Sequence, residues 1–320
     1  MKAKYLVIVG LLAATFAACS RDEESLFEKP AAIRAQEAVE NAFDVFTSAE
    51  NGWEMAYFPN LEASAKGYNM VLKFNKNGNV SVTAKNQATT MNKIMTDTAS
   101  TWAVKSDYGP ILTFDTYNDV FHAFSDPKDN GAGLLGDYEF LILKATPELV
   151  LLKGKKHSAY TVMRPMKHTD LAAYFAACEK MQTNLFGNNN IVTLTQGNDK
   201  MYLYNGAEGQ FQSAAYGSPL VAEAATYHPV CATEDGIIVS TGFGEDIHDH
   251  VFYYDSVKGE LKSEKGALMN AGNLNVLFGA YFTDNALGWA VDSEGQETVD
   301  ALIAAVNTAM NNTSAKMKVM

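Results

Sequence analysis

Between Trp53 and Met163, apolar and polar residues alternate with a period of two, in short runs broken at close intervals by turn-forming sequences. Successive side chains of an extended chain point to opposite faces, so each run builds a strand with one buried face. Trp53-Glu54-Met55-Ala56-Tyr57 places Trp53, Met55 and Tyr57 on one side. An aromatic and apolar face of this kind predicts core, with Trp53 buried. Asn69 to Phe74 leads through Asn75-Lys76-Asn77-Gly78 into Val80-Ser81-Val82, a hairpin signal because Asn-Gly tolerates positive φ. Tyr108-Gly109-Pro110 turns into Ile111 to Phe114, and Thr146-Pro147-Glu148 separates Asp137 to Leu143 from Leu149 to Lys153. Strands that follow one another through short turns predict an antiparallel barrel or sandwich.

Residues 190–283 are again strand-rich, with turns at Gly197-Asn198-Asp199, Asp235-Gly236 and Lys258-Gly259. The same alternatives, antiparallel β-barrel or sandwich, stand for this half. Helical spacing marks three flanking segments. Residues 30–48 carry Ile33, Val39, Phe43 and Phe46 at that spacing, with Asn51-Gly52 as the stop. Residues 169–184 open a stripe of Leu171, Tyr174, Phe175, Cys178, Met181 and Leu185, with Thr169 placed to cap the start and Gly187 the end. This helix is expected to be the seam between the two halves. Residues 294–311 begin with a capping-box pair, Ser293 and Gln296, and carry Val299, Leu302, Ile303, Val306 and Met310. The expected fold class is mostly β with flanking helices. No internal repeat is evident.

The N-terminus reads as an address. Lys2 and Lys4 precede an apolar run from Tyr5 to Ala14, too short for a permanent membrane helix, and small residues precede Cys19. Phe16-Ala17-Ala18-Cys19 resembles a bacterial lipobox, with Phe where Leu is usual. Residues 1–18 are therefore expected to be a lipoprotein signal peptide and Cys19 the lipidated N-terminus, held by outer-membrane lipid. Ser20-Arg21-Asp22-Glu23-Glu24 resembles the acidic surface-export signal of Bacteroidetes lipoproteins, and residues 19–29 read as an acidic tether. A β-rich domain over 30–165 and a helix plus β-rich region over 166–320 follow. The 320-residue chain is 47% hydrophobic, enough for one large or two modest cores, and its formal charge of −12 disfavours nucleic acid as a partner. With Cys19 taken by lipid, Cys178 and Cys231 are either a disulfide, which an oxidising compartment permits, or reduced core residues.

Motifs that carry chemistry are few. Gly131-Ala132-Gly133-Leu134-Leu135-Gly136 spells a dinucleotide fingerprint, but a polar loop precedes it and a strand follows, so no cofactor is expected there. Asp246, His248 and His250 form the best metal candidate, since two histidines two apart on a strand share a face and nearby carboxylates offer further ligands; no cysteine or third histidine sits at a ligand spacing. Gly-x-Ser-x-Gly and His-Glu-x-x-His are absent, and no catalytic residue is assigned. Asp97-Thr98-Ala99 and Asp255-Ser256-Val257 look like the Asp-Ser/Thr-apolar acceptor of Bacteroidetes O-glycosylation, which makes Thr98 and Ser256 candidate modification sites.

A resemblance runs through the first half. Asn51-Gly52-Trp53-Glu54-Met55-Ala56-Tyr57-Phe58-Pro59, Gly67-Tyr68-Asn69, Lys105 to Asn118, Gly136-Asp137-Tyr138-Glu139-Phe140 and Leu152 to Lys156 are similar to the Bacteroidetes lipoprotein family catalogued as domain of unknown function 4302. A weaker likeness continues from Pro229 to Ile238. The resemblance implies a surface lipoprotein, often encoded beside outer-membrane uptake pairs of the starch-utilisation type, and it brings no catalytic residues. The expected function is non-enzymatic nutrient capture for such a transporter. A surface glycan- or peptide-degrading hydrolase and a structural or adhesive surface-layer subunit are the rivals. Aromatic side chains lining a concave surface would favour capture; aromatic side chains wholly in the core would favour none of the three.

Overall fold

The computed structural model describes residues 29–61, 66–128, 131–186, 191–207, 209–215, 226–243 and 249–271. Helix α1 (Ala31–Ser48) precedes β1 (Trp53–Tyr57), β2 (Tyr68–Phe74), β3 (Asn79–Ala84), β4 (Met95–Ser106), β5 (Pro110–Phe114), β6 (Glu139–Ala145), β7 (Val150–Gly154) and β8 (Tyr160–Pro165). Helix α2 (Leu171–Phe186) leads into β9 (Ile191–Gln196), β10 (Asp199–Ala207), β11 (Gln210–Ala215) and β12 (Thr226–Thr233). The remaining strands are β13 (Gly236–Val239), β14 (Val251–Asp255), β15 (Glu260–Ser263) and β16 (Leu268–Ala271). Each set of eight strands is an antiparallel meander in sequence order, and each closes on itself. β1 pairs with both β2 and β8, and β9 with both β10 and β16. Both halves are thus barrels and neither is a sandwich. The expected hairpin at Asn75 to Gly78 is the β2–β3 turn, with Gly78 at φ 86°.

Period-two alternation decides what fills the barrels. Trp53, Met55 and Tyr57 point inward and are fully buried, with Met70 and Leu72 of β2 beside them. An eight-stranded barrel is just wide enough for side chains to fill it. Phe46 of α1 meets the rings of Phe74 and Trp102 at 5.0 and 5.8 Å, so α1 plugs one mouth. The Trp53 Nε1–H donates to Phe46 O at 2.8 Å and ties plug to wall. Only the later turns of α1 dock, through Ala42, Val45 and Phe46. Ile33, expected on the apolar stripe, is exposed because the helix begins before it reaches the barrel.

Helix α2 is the seam, and it serves both barrels. Tyr174, Phe175 and Cys178 pack on Val71 and Met166 of the first, while Met181 and Leu185 enter the core of the second. Its start is capped by Asp170, whose Oδ1 accepts the Ala173 N–H at 3.0 Å, and not by Thr169. Cys178 and Cys231 are both free and buried. The expected helix over 294–311 lies outside the described residues.

A repeat that the sequence conceals is visible in three dimensions: a helix whose last turns plug the eight-stranded meander that follows, used twice. Barrels ask only for inward apolar positions, so the two units need share no residue identities. Between them, Ala56, Phe58, Ala159 and Val162 pack on Cys231 and Ile238. The Gly67 N–H donates to Val230 O at 3.0 Å, and a Cβ at Gly67 would overlap the Cys231 side chain. Arg164 of β8 sits at this junction, 2.7 Å from Glu54 and 2.8 Å from Asp235 in the β12–β13 turn.

Candidate functional site: an aromatic stack on the first barrel

Trp53 and Trp102 lie in the first core and present no surface for a ligand, while Trp289 lies outside the described residues; the packed interior leaves recognition to the outside of the fold. Loops on a rigid scaffold are where binding residues concentrate. The connection 115–138, between β5 and β6, is the longest loop in the first barrel, and 240–250 holds the same place in the second. Each sends aromatic side chains into its own barrel: Phe121 and Phe124 in the first, Phe243 in the second.

Local hydrogen bonds shape the first loop. Asn118 Oδ1 accepts the N–H groups of Val120 and Phe121 at 3.1 and 2.9 Å and shapes the turn that leads into a single 3₁₀ turn over His122–Phe124. Its exit is held by the Gly131 to Gly136 string, where Ala132 N–H donates to Ala123 O and Gly136 N–H to Phe124 O. That string runs into β6, the strand context expected of it. Tyr57, from inside the barrel, donates to Asp137 O at 3.0 Å.

With Phe121 and Phe124 turned inward, His122 is left between two tyrosines. Its ring lies 5.3 Å from Tyr117 at 30° and 5.1 Å from Tyr138 at 32°, so three rings form one stack. His122 is buried within it, whereas Tyr117 and Tyr138 are 52% and 45% exposed. The His122 Nδ1 accepts the Asn118 N–H at 3.0 Å. Burial pushes the imidazole below its ordinary pKa, against a backbone hydrogen bond to Phe114 that favours the cation. The ring is thus neutral at pH 7. Tyr117 donates its hydroxyl to Asp126, and that bond, then burial, raises its pKa to about 12. The outcome is a surface of uncharged aromatic planes bordered by carboxylates. Such faces attract the polarised C–H groups of a saturated ring, and the border offers acceptors to hydroxyl groups.

The residues singled out in the sequence fall elsewhere. Asp246, His248 and Cys19 lie outside the described residues. His250 donates from Nδ1 to Val239 O at 2.9 Å, and its ring rests 5.2 Å from Tyr160 of the first barrel. Among the described residues, no three His, Cys, Asp or Glu side chains converge as metal ligands. Thr98 is exposed at a bulge where β4 passes β3, and Ser256 is exposed in the β14–β15 turn. In both places the preceding aspartate accepts the N–H two residues ahead, Ala99 at 2.8 Å and Val257 at 2.9 Å. Tyr117 and Tyr138 lie in runs that carry the family resemblance, but no motif marks either of them or His122 as a site. Their sequence signal is only a long, aromatic-rich interval between two strands.

The family model described as domain of unknown function (DUF4302) matches residues 23–249. The chain belongs to this family. The match spans the first barrel, α2 and the second barrel as far as the loop before β14, so the family's unit is not confined to residues 30–165. The stack on 115–138 lies inside it. No curated protein and no solved structure matches the chain.

Proposed function

We propose that this member of the DUF4302 family is a non-enzymatic capture protein, anchored to the outer membrane through lipid on Cys19 and displayed at the cell surface. It presents glycan to an adjacent uptake system of the starch-utilisation type. The Tyr117–His122–Tyr138 stack carries the reading, because it places partly exposed aromatic planes on a loop that the Tyr57 hydroxyl ties to the barrel interior at Asp137. The lipobox resemblance around Cys19 and the acidic run after it support the location. Rigid, pre-shaped rings lose little entropy on binding, which suits capture.

A glycan array probed with the mature protein and with a Tyr117→Ala/Tyr138→Ala variant tests this. The expected result is retention of at least one neutral glycan class, weakened about tenfold or more in the variant at an unchanged melting temperature. Equal retention by both proteins removes the stack from the function, and turnover of a retained glycan would instead favour the hydrolase.

A further inference from the structure

On β2, Asn69, Val71 and Lys73 alternate with the buried Met70, Leu72 and Phe74, so they face out of the first barrel. The register carries that outer row across the sheet: Lys73 lies opposite Ser81, Val71 opposite Thr83, and Thr83 opposite Thr96. Helix α2 covers Val71 but stops short of Lys73 and Ser81. The segment that enters α2, with His168, Thr169 and Leu171, stands over the uncovered strip and closes it into a cleft of about 310 Å³. Ligand pockets begin at about 300 Å³, so this is room for one small molecule.

The lining is unusual for so acidic a chain. The formal charge is −12, yet among the described residues no carboxylate lines the cleft, and the ionisable side chains that do are Lys73 and His168. Neighbouring basic groups are already paired: Lys85 with Glu179 at 2.6 Å, Lys167 with Asp235 at 3.1 Å, and His168 with Glu234 at 3.1 Å. Lys73 has no ion-pair partner among the described residues. Around it are hydroxyl groups. Thr83 and Thr96 hydrogen bond to each other at 2.9 Å, and Ser81, Thr169 and the Asn51 amide open onto the same space. An unpaired ammonium selects an anion, and several hydroxyl and amide groups around it select a ligand rich in hydroxyl groups.

We propose that this cleft binds a small polyhydroxylated carboxylate, an acidic sugar, with Lys73 pairing its carboxylate and the Ser81, Thr96 and Thr169 hydroxyls bonding its ring hydroxyls. The site is separate from the aromatic stack and does not depend on it. It would make the first barrel a reader of charge as well as of ring faces.

Calorimetric titration of the full mature chain with glucuronate, glucose and inorganic phosphate tests the assignment. Glucuronate should bind at millimolar concentration or below, with glucose and phosphate each weaker by about tenfold or more. Lys73→Met should weaken glucuronate by a similar factor without lowering the melting temperature, and Lys73→Arg should keep most of the affinity. Thr169→Val should weaken glucuronate but leave phosphate unchanged. Tyr117→Ala/Tyr138→Ala should leave glucuronate binding intact, so that failure of this site and failure of glycan capture at the stack are told apart. The proposal is overturned if glucuronate does not bind, if glucose or phosphate binds as well, or if Lys73→Met binds as the parent does.

Discussion

Arg164, on the last strand of the first barrel, and Asp235, in a turn of the second, form a 2.8 Å ion pair through a guanidinium nitrogen that also lies 2.7 Å from Glu54. The Arg164 and Glu54 side chains are almost wholly buried, and Asp235 is half-buried. Breaking a buried pair by removing one partner typically costs about 3–5 kcal/mol, because the other charge is stranded. Arg164→Met should therefore lower stability by roughly that amount. It should also uncouple the barrels, so that one urea transition becomes two when followed separately by tryptophan fluorescence and far-ultraviolet circular dichroism. A single transition at the parent's midpoint would show that apolar packing alone joins the barrels.

The two carboxylates respond to pH in opposite directions. Burial raises the Glu54 pKa above its ordinary 4.5, and the Arg164 charge only partly offsets this. A raised folded-state pKa gives stability that is full below 4.5 and is lost as pH rises through the folded value. At Asp235 burial also pushes upward, but the Arg164 charge, with hydrogen bonds from Arg164 and Lys167, outweighs it and holds the pKa below 3.8. That stability is full above 3.8 and is lost as pH falls through the folded value. The junction should thus be strongest in mild acid. Urea midpoints measured across pH should lose their high-pH decline in Glu54→Gln and their acid decline in Asp235→Asn.

Trp53 is fully buried and bonded to the plugging helix. Truncating a buried tryptophan costs about 3–5 kcal/mol, a large part of the roughly 5–15 kcal/mol that holds a domain. Trp53→Ala should sharply lower the melting temperature, and any loss of glycan retention should follow unfolding. A Trp53→Ala protein that melts normally but no longer retains glycan would contradict the core role.

Burial raises the thiol of Cys178 to about 12 and pushes that of Cys231 up as well. Only the thiolate reacts quickly. In a Cys19→Ala chain without reductant, a thiol reagent should label neither cysteine in the folded protein and both after denaturation. Absence of label after denaturation would mean that the two are bridged.

Anchoring has its own test. Cys19→Ala should release the protein from the membrane fraction and abolish lipid labelling. Replacing Asp22, Glu23 and Glu24 with alanine should keep the lipid but remove protease accessibility on intact cells. Unchanged accessibility would reduce the acidic run to a tether.

What the sequence by itself determined is what period and turn chemistry encode. Trp53, Met55 and Tyr57 face inward because side chains alternate along a strand, and Gly78 turns β2 into β3 because it accepts positive φ. The apolar stripe of α2, Cys178 included, was legible for the same reason, and so was the family. Closure was not, because pairing of β1 with β8 joins residues a hundred positions apart and depends on accumulated strand tilt, which no local pattern records. Tertiary structure alone also gathered the functional surfaces. Tyr117, His122 and Tyr138 stack only because Phe121 and Phe124 are drawn into the barrel between them, and Lys73 faces a cleft only because α2 ends its cover one row short. Glu54 reads as a polar residue on a strand's outer face, which predicts solvent. The second barrel buries it, and Arg164 makes that burial tolerable.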